Sequence, residues 1–568
     1  MALEASRRHR TRDAFRVYLE AALELISPYR RTLKALRARW GRICEKDAWL
    51  ASRYFELTHA LEPERCVDDR TWGDLEFPRI FAILDTTVTP LGSQALYRQL
   101  RSYPEHPDAT AVGYRTAVLL RSGQLLREAI QLRLASLRAD SYARLADTLF
   151  GAAPRRLPMS ALIVVWSILC ALLLLGAAYT VWSASVPSWP LLLELPVLIA
   201  NVAIIYWIAS GYERIQSLKR CHDLVRVAEA LARVPAGNAV PELAELAASR
   251  AELARARRAF RPLALLERLP LGTGTWLNLL FLAELVAYIR IARTFPALGP
   301  QLRRAFALVA SLDATIAVAS LLERSPAHCV PTLVNGRVIE IDAGCHPLLA
   351  RQTANSVTLH DRSALVTGSN MAGKTTFIKM IGINIILGRT LGLCLAARAV
   401  IPAAGVMACI RAEHSTESGK SRYFAELEAV LAFLRRAEER AALVFVLDEP
   451  FSGTNTLERI AAAKAVLEAL ARHAQVLATT HDVELGELLD ERFANFHFTE
   501  NPDLEGFFDY RLRPGGCTEG NALRLLEKIG FPPAVVTEAR RIAAETSRAG
   551  RERSPADAVS DATRPPAD

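Results

Sequence analysis

The sequence predicts an α/β domain at the C-terminal end of a mainly α-helical chain, which an apolar helical hairpin interrupts. Three observations lead to this fold class. The apolar run Ala364–Thr367 is predicted to be a strand, and it leads through a glycine-rich turn into an apolar helix. Two more apolar runs, Leu443–Leu447 and Gln475–Thr480, are predicted to be strands that end in polar residues. Residues 157–193 and 195–212 contain no charged side chain.

The N-terminal region, residues 1–70, is predicted to be basic and helical. The chain has 568 residues, enough for more than one domain. Its formal net charge of +9 permits contact with nucleic acid or anionic lipid and does not choose between them. Nine cysteines occur without any Cys-x-x-Cys spacing, which favours reduced thiols over a zinc site. The early arginines precede no apolar run, so we expect no signal peptide.

Residues 71–156 are predicted to form a helical segment. Thr89 and Pro90 are typical of a helix start, because a threonine side chain can cap the first turn and proline suits its first position. Leu96 and Leu100 lie one turn apart and are expected to face the interior. We assign this segment a structural role.

Residues 157–212 are predicted to form a transmembrane hairpin. Its first span, Ser160–Val181, has 22 residues. A helix of this length measures about 33 Å, and the hydrocarbon core of a bilayer is about 30 Å thick. A turn rich in Pro, Ser and Trp leads to a second span at Leu191–Ala209, with Glu194 close to its outer end. An acid costs less there because its side chain can reach the lipid headgroups.

Basic residues flank this hairpin at both ends, namely Arg155 and Arg156 before it and Arg214, Lys219 and Arg220 after it. The positive-inside rule places both ends on the cytoplasmic side. We therefore expect lipid contact through residues 157–212 and a location in the inner (cytoplasmic) membrane, with the C-terminal domain facing the cytoplasm. The alternative is a helical hairpin buried in the core of a large soluble protein.

Residues 213–325 are predicted to be amphipathic, arginine-rich helices. Within them, Trp276–Ile291 is strongly apolar, although Glu284 and Arg290 interrupt it. The sequence leaves two readings of this stretch open, a third membrane span and a packed lever helix.

The glycine-rich turn fits the pattern Gly-x-x-x-x-Gly-Lys-Thr, from Gly368 through Gly373 and Lys374 to Thr375. Such a turn between a strand and a helix can cradle phosphates with its backbone N–H groups. The lysine would reach the outer phosphates, and the threonine hydroxyl would ligate Mg²⁺. A chance match in a glycine-rich turn is the alternative. The other residues predicted to bind the ligand here are Ser369, Asn370, Met371, Ala372 and Thr376.

Two of the predicted strands end in candidate catalytic residues. Asp448 would hold Mg²⁺, and Glu449 would act as the general base on the attacking water. His481 follows the next strand and can sense the terminal phosphate. Because the carboxyl ends of parallel strands meet at one edge of a sheet, these residues are expected to share one site with the glycine-rich turn. The alternative is that Asp448 and Glu449 only cap the following helix.

At these residues the chain resembles the MutS family of mismatch-repair ATPases, within the wider ABC-type class. Residues 367–376, including their Asn-Met pair, are similar to the MutS P-loop, or Walker A motif. Residues 448–454 are similar to the MutS Walker B motif and the loop after it, and residues 479–481 to its His switch. Residues 418–426 occupy the place of the signature motif, where the resemblance implies that Ser421 reaches ATP bound by a second subunit.

The resemblance covers residues 71–110 and 326–545. It implies a P-loop (ABC-type) ATPase domain at 326–545, preceded by a MutS-core-like helical region that the hairpin interrupts. It also implies ATP and Mg²⁺ as cofactors, a homodimer paired through the ATPase domains, and binding to DNA. Residues 546–568 are rich in Arg, Ser, Pro and Asp and are expected to be a disordered tail.

The chain also departs from the MutS pattern. The residues before 71 contain no Phe-x-Glu wedge, and the hairpin falls where the MutS lever and DNA clamp would be. Two functions therefore stay open: a membrane-tethered MutS-like ATPase that binds DNA in repair or processing, and a membrane-anchored ABC-type ATPase that acts on a non-DNA partner. An ABC half-transporter is a weaker alternative, because two predicted spans are too few to line a pore.

Overall fold

The computed structural model describes residues 28–43, 50–61, 63–151, 159–183, 189–208, 212–235, 237–268, 273–325, 327–349, 353–369, 372–410, 422–439, 442–500, 508–516 and 522–552. They form two compact units. The helical unit contains the described residues up to 68 together with Glu76–His328 and Arg389–Leu393. The α/β unit contains Asp69–Leu75, Cys329–Gly388 and the described residues from 394 onward.

The secondary structure is mostly helical before residue 330 and mixed after it. In chain order the helices are α1 Pro28–Arg39, α2 Arg53–Thr58, α3 Asp69–Asp74, α4 Phe77–Leu84, α5 Pro90–Arg101, α6 Pro107–Ser122, α7 Gln124–Leu134, α8 Leu145–Phe150, α9 Ser160–Trp182, α10 Trp189–Ile208, α11 Tyr212–Leu231, α12 Pro241–Ala248, α13 Arg250–Arg268, α14 Thr273–Phe281, α15 Ala283–Arg324, α16 Lys374–Leu391, α17 Arg422–Glu439, α18 Thr456–His473, α19 Val483–Leu488, α20 Ala522–Ile529 and α21 Pro533–Glu552. The strands are β1 Thr332–Val334, β2 Val338–Gly344, β3 Asn355–His360, β4 Ser363–Thr367, β5 Arg398–Pro402, β6 Gly405–Cys409, β7 Leu443–Asp448, β8 Gln475–Thr479, β9 Phe493–His497 and β10 Arg513–Pro514.

The core of the helical unit is built around the C-terminal two thirds of α15. Leu302, Phe306 and Leu312 on this helix are fully buried. Asp313 is also fully buried, and its carboxylate accepts hydrogen bonds from the backbone N–H groups of Val88 (2.9 Å) and Thr89 (2.8 Å). A buried carboxylate is stable only when such donors surround it. The central helix therefore holds the chain segment that leads into α5.

The start of α5 matches the prediction. The Thr89 hydroxyl accepts from the Gly92 N–H at 3.0 Å, with Pro90 in the first turn, and Leu96 and Leu100 are buried. A Cβ atom at position 92 would collide with the Asp313 carboxylate, so only glycine permits this close approach.

The predicted hairpin forms two helices, α9 and α10, at the expected positions. Along α9, the side chains that the protein buries recur once every seven residues, at Ile163, Cys170 and Ala177. This spacing gives one narrow buried seam on the helix. Large apolar side chains cover the rest of its surface and are more than half exposed, namely Leu162, Val165, Ile168, Leu169, Leu172 and Leu175.

Two of the described helices are long and apolar enough to cross a bilayer by length and composition, Ser160–Tyr179 of α9 and the whole of α15. In the most apolar stretch of each, 17% of the α9 residues are buried by the protein against 83% for α15. The described part of α10 contributes a shorter apolar segment, Leu195–Tyr206.

The apolar stretch Trp276–Ile291 is not one continuous helix. It is divided between α14 and α15 at Leu282, whose φ of 51° lies in the left-handed region. Beyond this break α15 is largely buried, which fits the packed helix of the two readings that the sequence leaves open.

The α/β unit contains two sheets. The six-stranded sheet has the order β10-β9-β4-β8-β7-β6, and its pairs are parallel except β9 with β10. The four-stranded sheet has the order β1-β5-β2-β3. Strand β4 is buried along its whole length, as its unbroken apolar sequence predicts. Strands β4, β8 and β7 are neighbours, so the prediction that their carboxyl ends meet at one edge is confirmed.

The described C-terminal part contains an irregular segment and a long last helix. Phe508 makes an isolated bridge with Glu500, and Tyr510 has a φ of 53°, which extended backbone does not permit. Helix α21 continues to Glu552, and the rest of the predicted tail, residues 553–568, lies outside the described residues. The first helix-breaking proline after this helix is Pro555, which explains why the helix extends this far.

Candidate active site

The glycine-rich turn connects β4 to α16 at the centre of the six-stranded sheet. Gly368 and Gly373 have φ values of 136° and 107°, which side-chain-bearing residues rarely adopt. A Cβ at Gly368 would also lie 2.6 Å from the Phe498 carbonyl oxygen. The turn thus requires glycine at both positions. Asn370 and Met371 lie outside the described residues.

Lys374 is the first residue of α16, and its side chain is almost completely buried in the turn. Its Nζ donates to the carbonyl oxygens of Gly368 (2.7 Å) and Ser369 (2.9 Å). Burial lowers the pKa of this amine to about 8, against the opposing effect of Glu449 and Asp448. A phosphate group in the turn would supply the negative charge that favours the protonated amine.

Thr375 and Asp448 come together from different elements of the sheet edge. The Thr375 Oγ1 lies 3.0 Å and 2.9 Å from the two carboxylate oxygens of Asp448. Thr479, which pairs with Asp448 across β7 and β8, donates its hydroxyl to the same carboxylate. Hydroxyl and carboxylate oxygens are the ligands that Mg²⁺ prefers, so this donor set fits the predicted ion.

Glu449 and His481 form the third part of the site. Glu449 has a φ of 48°, an uncommon conformation for a glutamate, and its N–H donates to the Thr479 carbonyl oxygen at 3.2 Å. Its carboxylate contacts His481 Nε2, while His481 Nδ1 lies 3.3 Å from Lys374 Nζ. Lys374 Nζ also lies 3.4 Å from His481 Nε2, so the amine is close to both ring nitrogens. Lysine, glutamate and histidine therefore meet beside the glycine-rich turn.

Sequence reasoning missed Glu426, which lies on α17. Its carboxylate accepts a hydrogen bond of 2.6 Å from the N–H of Phe451, two residues after the candidate base Glu449. Phe451 has a φ of 63°, so this contact holds a strained segment in place. Glu426 stands inside the signature-like segment 418–426, which was the available signal. Ser421 of that segment lies outside the described residues.

A cavity of about 680 Å³ adjoins the glycine-rich turn. Lys374, Thr375, Thr376 and Glu449 line one part of it. Aromatic, apolar and amide groups line the rest, including His346, Leu349, Asn355, Met380, Phe498 and Tyr510. The volume is in the range of small-molecule sites, which are mostly apolar with a few placed polar groups. Of the other predicted binding residues, Ser369 also lines the cavity and Ala372 is buried.

Sequence reasoning also missed Tyr510. Its ring lies beside Gly373, 3.4 Å from where a Cβ would be. Asn355 holds this segment at two points, donating to the Tyr510 carbonyl oxygen at 3.0 Å and accepting from the Leu512 N–H at 2.8 Å. No spacing pattern connects Asn355 with residues so distant in the sequence, so only the fold reveals the contact.

Residues 364–547 match the family model of MutS domain V. The chain is 33% identical over 247 residues to the DNA mismatch repair protein MutS of Thermus thermophilus, covering 42% of this chain and 30% of that protein. It is 30% identical over 261 residues to the protein of the same name from Chloroflexus aurantiacus, covering 43% and 27%. The chain thus spans about 30% of the length of the curated relatives that it matches. Residues 364–547 are thus similar to MutS domain V.

Proposed function

We propose that this chain is a MutS-like ATPase that binds ATP with Mg²⁺ and hydrolyses it. The observation that carries the proposal is the meeting of four groups at one sheet edge: the glycine-rich turn with Lys374, the Thr375–Asp448 pair, Glu449 and His481. Phosphoryl transfer depends mainly on positioning and on neutralising charge, and this edge supplies both.

The phosphates of ATP fit the glycine-rich turn, where backbone N–H groups and Lys374 meet the negative charge. Thr375 and Asp448 would hold Mg²⁺, which neutralises charge on the phosphates. The cavity beyond the turn accommodates the nucleoside, with the Tyr510 ring available to stack on a base.

Glu449 is the candidate general base, because a carboxylate at this position can take a proton from the attacking water. His481 contacts the Glu449 carboxylate and Lys374 together, so it can orient the base and respond to the terminal phosphate. Both residues follow neighbouring strands, β7 and β8, which fixes their separation.

Two variants test the ATPase. Lys374→Ala is expected to abolish ATP binding, because it removes the charge that opposes the outer phosphates. Glu449→Gln is expected to keep ATP binding and to lower turnover by about 10²–10⁴-fold, the usual contribution of a general base. The measurements are equilibrium binding of a fluorescent ATP analogue and phosphate release.

Glu487→Gln is the matched control, since this exposed glutamate on α19 lies outside the site and should leave both quantities unchanged. Near-normal hydrolysis by the Glu449→Gln variant would refute the assignment of the base and favour His481.

The lowered pKa of Lys374 adds a pH dependence to ATP binding. Its pKa of about 8 means that the amine loses its proton as the pH rises above that value, and ATP affinity should fall in the same range. Lys374→Arg removes the titration, because arginine stays protonated. An arginine variant that binds ATP yet keeps the same pH dependence would place the titrating group elsewhere.

We propose further that two chains pair through their ATPase domains. The support is the resemblance of residues 418–426 to the MutS signature motif, in which Ser421 would complete the site of a second chain. Sedimentation of the Glu449→Gln variant with and without Mg-ATP tests this pairing, and dimers that ATP does not stabilise would count against it.

DNA is the proposed partner. The support is the name of the matched relatives, DNA mismatch repair proteins, together with the net charge of +9. Binding of the purified protein to duplex DNA should weaken steeply with salt, because contacts to phosphates release counterions. Absence of binding at low salt would favour the alternative, an ATPase that acts on a non-DNA partner.

The last proposal is that α9 and α10 anchor the chain in the inner membrane, with the ATPase domain in the cytoplasm. The support is the apolar surface of α9, which the described part of the chain leaves uncovered. Lipid chains can cover such a surface without an energetic cost. Alkaline carbonate extraction is expected to leave the protein in the membrane pellet, and a Ser183→Cys variant should react with an impermeant thiol reagent from the periplasmic side. Release into the supernatant would contradict insertion.

A further inference from the structure

The helix break between α14 and α15 has unusual surroundings. Leu282, the residue at the break, has φ 51° and ψ 36°, a left-handed conformation that is strained for a leucine. Such strain persists only where neighbouring groups hold it. The break also removes the regular helical partners of the preceding carbonyl groups.

The hairpin helices supply replacement partners for three of these carbonyl groups in succession. The Asn201 side-chain amide on α10 donates to the carbonyl oxygens of Leu279 (2.9 Å) and Leu280 (3.0 Å). The Ser167 hydroxyl on α9 donates to the carbonyl oxygen of Phe281 at 2.6 Å. Both donors stand in helices that are otherwise almost entirely apolar.

Asn201 is completely buried, and both ends of its side-chain amide are hydrogen-bonded. Its Oδ1 accepts from the Trp166 Nε1 at 2.7 Å, while its two N–H groups serve the break. A buried side-chain amide is costly unless it is fully paired. Asn201 therefore has a structural role, because its amide replaces helical hydrogen bonds that the break removes. The break in turn explains why a polar side chain is buried at this position.

Residues 273–289, which we call the elbow, have a composition suited to lipid. They contain one charged residue, Glu284, which pairs with Lys219 at 2.7 Å with both side chains largely buried. Trp276 on the elbow is 59% exposed, and tryptophan is enriched at the boundary between lipid and water. A backbone carbonyl group within a bilayer must accept its hydrogen bond from the protein. Three carbonyl groups at the break accept hydrogen bonds from Asn201 and Ser167.

The depth of the elbow follows from two independent helices. Ser167 lies seven residues after the start of α9 at Ser160, and Asn201 lies seven residues before the end of α10 at Ile208. At 1.5 Å per residue both positions are about 10 Å from the ends of the hairpin. After the elbow the chain is again at the level of the start of α9. The Arg293 guanidinium lies 3.5 Å from the Ser160 hydroxyl there.

We propose that the elbow is a re-entrant membrane element, which enters the cytoplasmic leaflet beside the hairpin and leaves on the same side without crossing. Its partner is the acyl chains of that leaflet, which contact α14 next to the lipid surface already proposed for α9. Trp276 of α14 is exposed, whereas Tyr288 and Ile289 of α15 are buried by the protein. This inference rests on the proposed membrane anchoring. An elbow covered by protein and an elbow that crosses the bilayer are the competing outcomes.

The first test uses the full chain in liposomes, first floated on a density gradient. Failure to float with the lipid would refute the anchoring itself. For protein that floats, tryptophan fluorescence is measured in lipids brominated either near the headgroup or near the chain end, for the natural protein and for Trp276→Phe. The difference between the two proteins reports Trp276.

Quenching of Trp276 mainly by the shallow bromines is the expected result. Equal or stronger quenching by the deep bromines would mean that the elbow crosses the bilayer, and absence of quenching in floated protein would mean that protein covers it. Either result overturns the proposal while leaving the anchoring intact.

The second test compares Asn201→Ala, which removes two hydrogen bonds to the break, with Ser167→Ala, which removes one. Hydrogen exchange of the amides around Leu282 should rise about threefold for the serine variant and on the order of tenfold or more for the asparagine variant, from the usual strength of such bonds in membranes. Both variants should still float. Equal exchange in the natural protein and both variants would contradict the role of Asn201 at the break.

Discussion

Helices α9 and α15 each contain a long apolar stretch, and the surroundings of the two stretches are opposite. Both are long and apolar enough to cross a bilayer, yet the protein buries 17% of the apolar stretch of α9 and 83% of that of α15. The other helices of its unit bury most of α15, and Leu312 and Asp313 are completely buried. Helix α9 has one narrow seam that the described residues bury. Hydropathy therefore identifies a helix with a large apolar surface, and the packing shows how much of that surface the protein buries.

Of the substitutions that test this difference between α9 and α15, the introduction of an arginine is expected to have the largest effect. Leu312→Arg places an unpaired cation in the protein core and should unfold the helical unit, a loss of more than about 4 kcal/mol. Leu172→Arg on the exposed face of α9 should leave the fold in detergent unchanged but weaken membrane insertion by about 2.5–3.5 kcal/mol. Circular dichroism in detergent and carbonate extraction measure the two effects separately.

One result would contradict this difference between the two helices. If Leu172→Arg unfolded the detergent-solubilised protein as Leu312→Arg does, the exposed face of α9 would have to be packed against protein.

Substitution by alanine should also change the free energy of unfolding more at position 312 than at position 172. Leu312→Ala removes buried methyl groups and should lower the free energy of unfolding by about 2–5 kcal/mol. Leu172→Ala, at a side chain that is 59% exposed to the surroundings, should change it by less than about 0.5 kcal/mol in detergent. Thermal denaturation of both variants gives the difference, and similar losses at the two positions would contradict the burial described above.

The smallest expected effect concerns a carboxylate that packs against α15. Burial raises the pKa of Glu242, whose Oε1 accepts from the Ser311 hydroxyl at 3.2 Å. Its other oxygen, Oε2, has no hydrogen-bond partner among the described residues. Because the pKa is higher in the folded state, stability is greatest below the unfolded pKa and falls as the pH rises through the folded one.

Glu242→Gln removes this titration. The variant should melt at a higher temperature than the natural protein at neutral pH and at a similar temperature in acid, as measured by melting curves across the pH range. Glu252→Gln is the control, since this exposed side chain on α13 should give a much smaller change. A variant that is less stable at neutral pH would show that the ionised carboxylate is favourable.

Much of the candidate site was predictable from local sequence. A Gly-x-x-x-x-Gly-Lys-Thr turn after an apolar strand, and acidic or histidine residues after two more, suffice to place Lys374, Asp448 and His481 at one sheet edge. The reason is that parallel strands align their carboxyl ends. The Thr89 cap and the two hairpin helices were predictable for the same kind of reason, because each depends on residues close together in the chain.

Contacts between distant residues decided the rest. Asn355 holds the segment of Tyr510, Asn201 satisfies the carbonyls beside Leu282, and Asp313 holds the chain before α5. None of these pairs has a sequence spacing that marks it, because the partners meet only after the helices and sheets pack. The sequence by itself thus determined the periodic elements and the glycine-rich turn of this protein. The tertiary structure alone decided which apolar helix the protein covers, because burial is a property of the packed neighbours and hydropathy only of the chain.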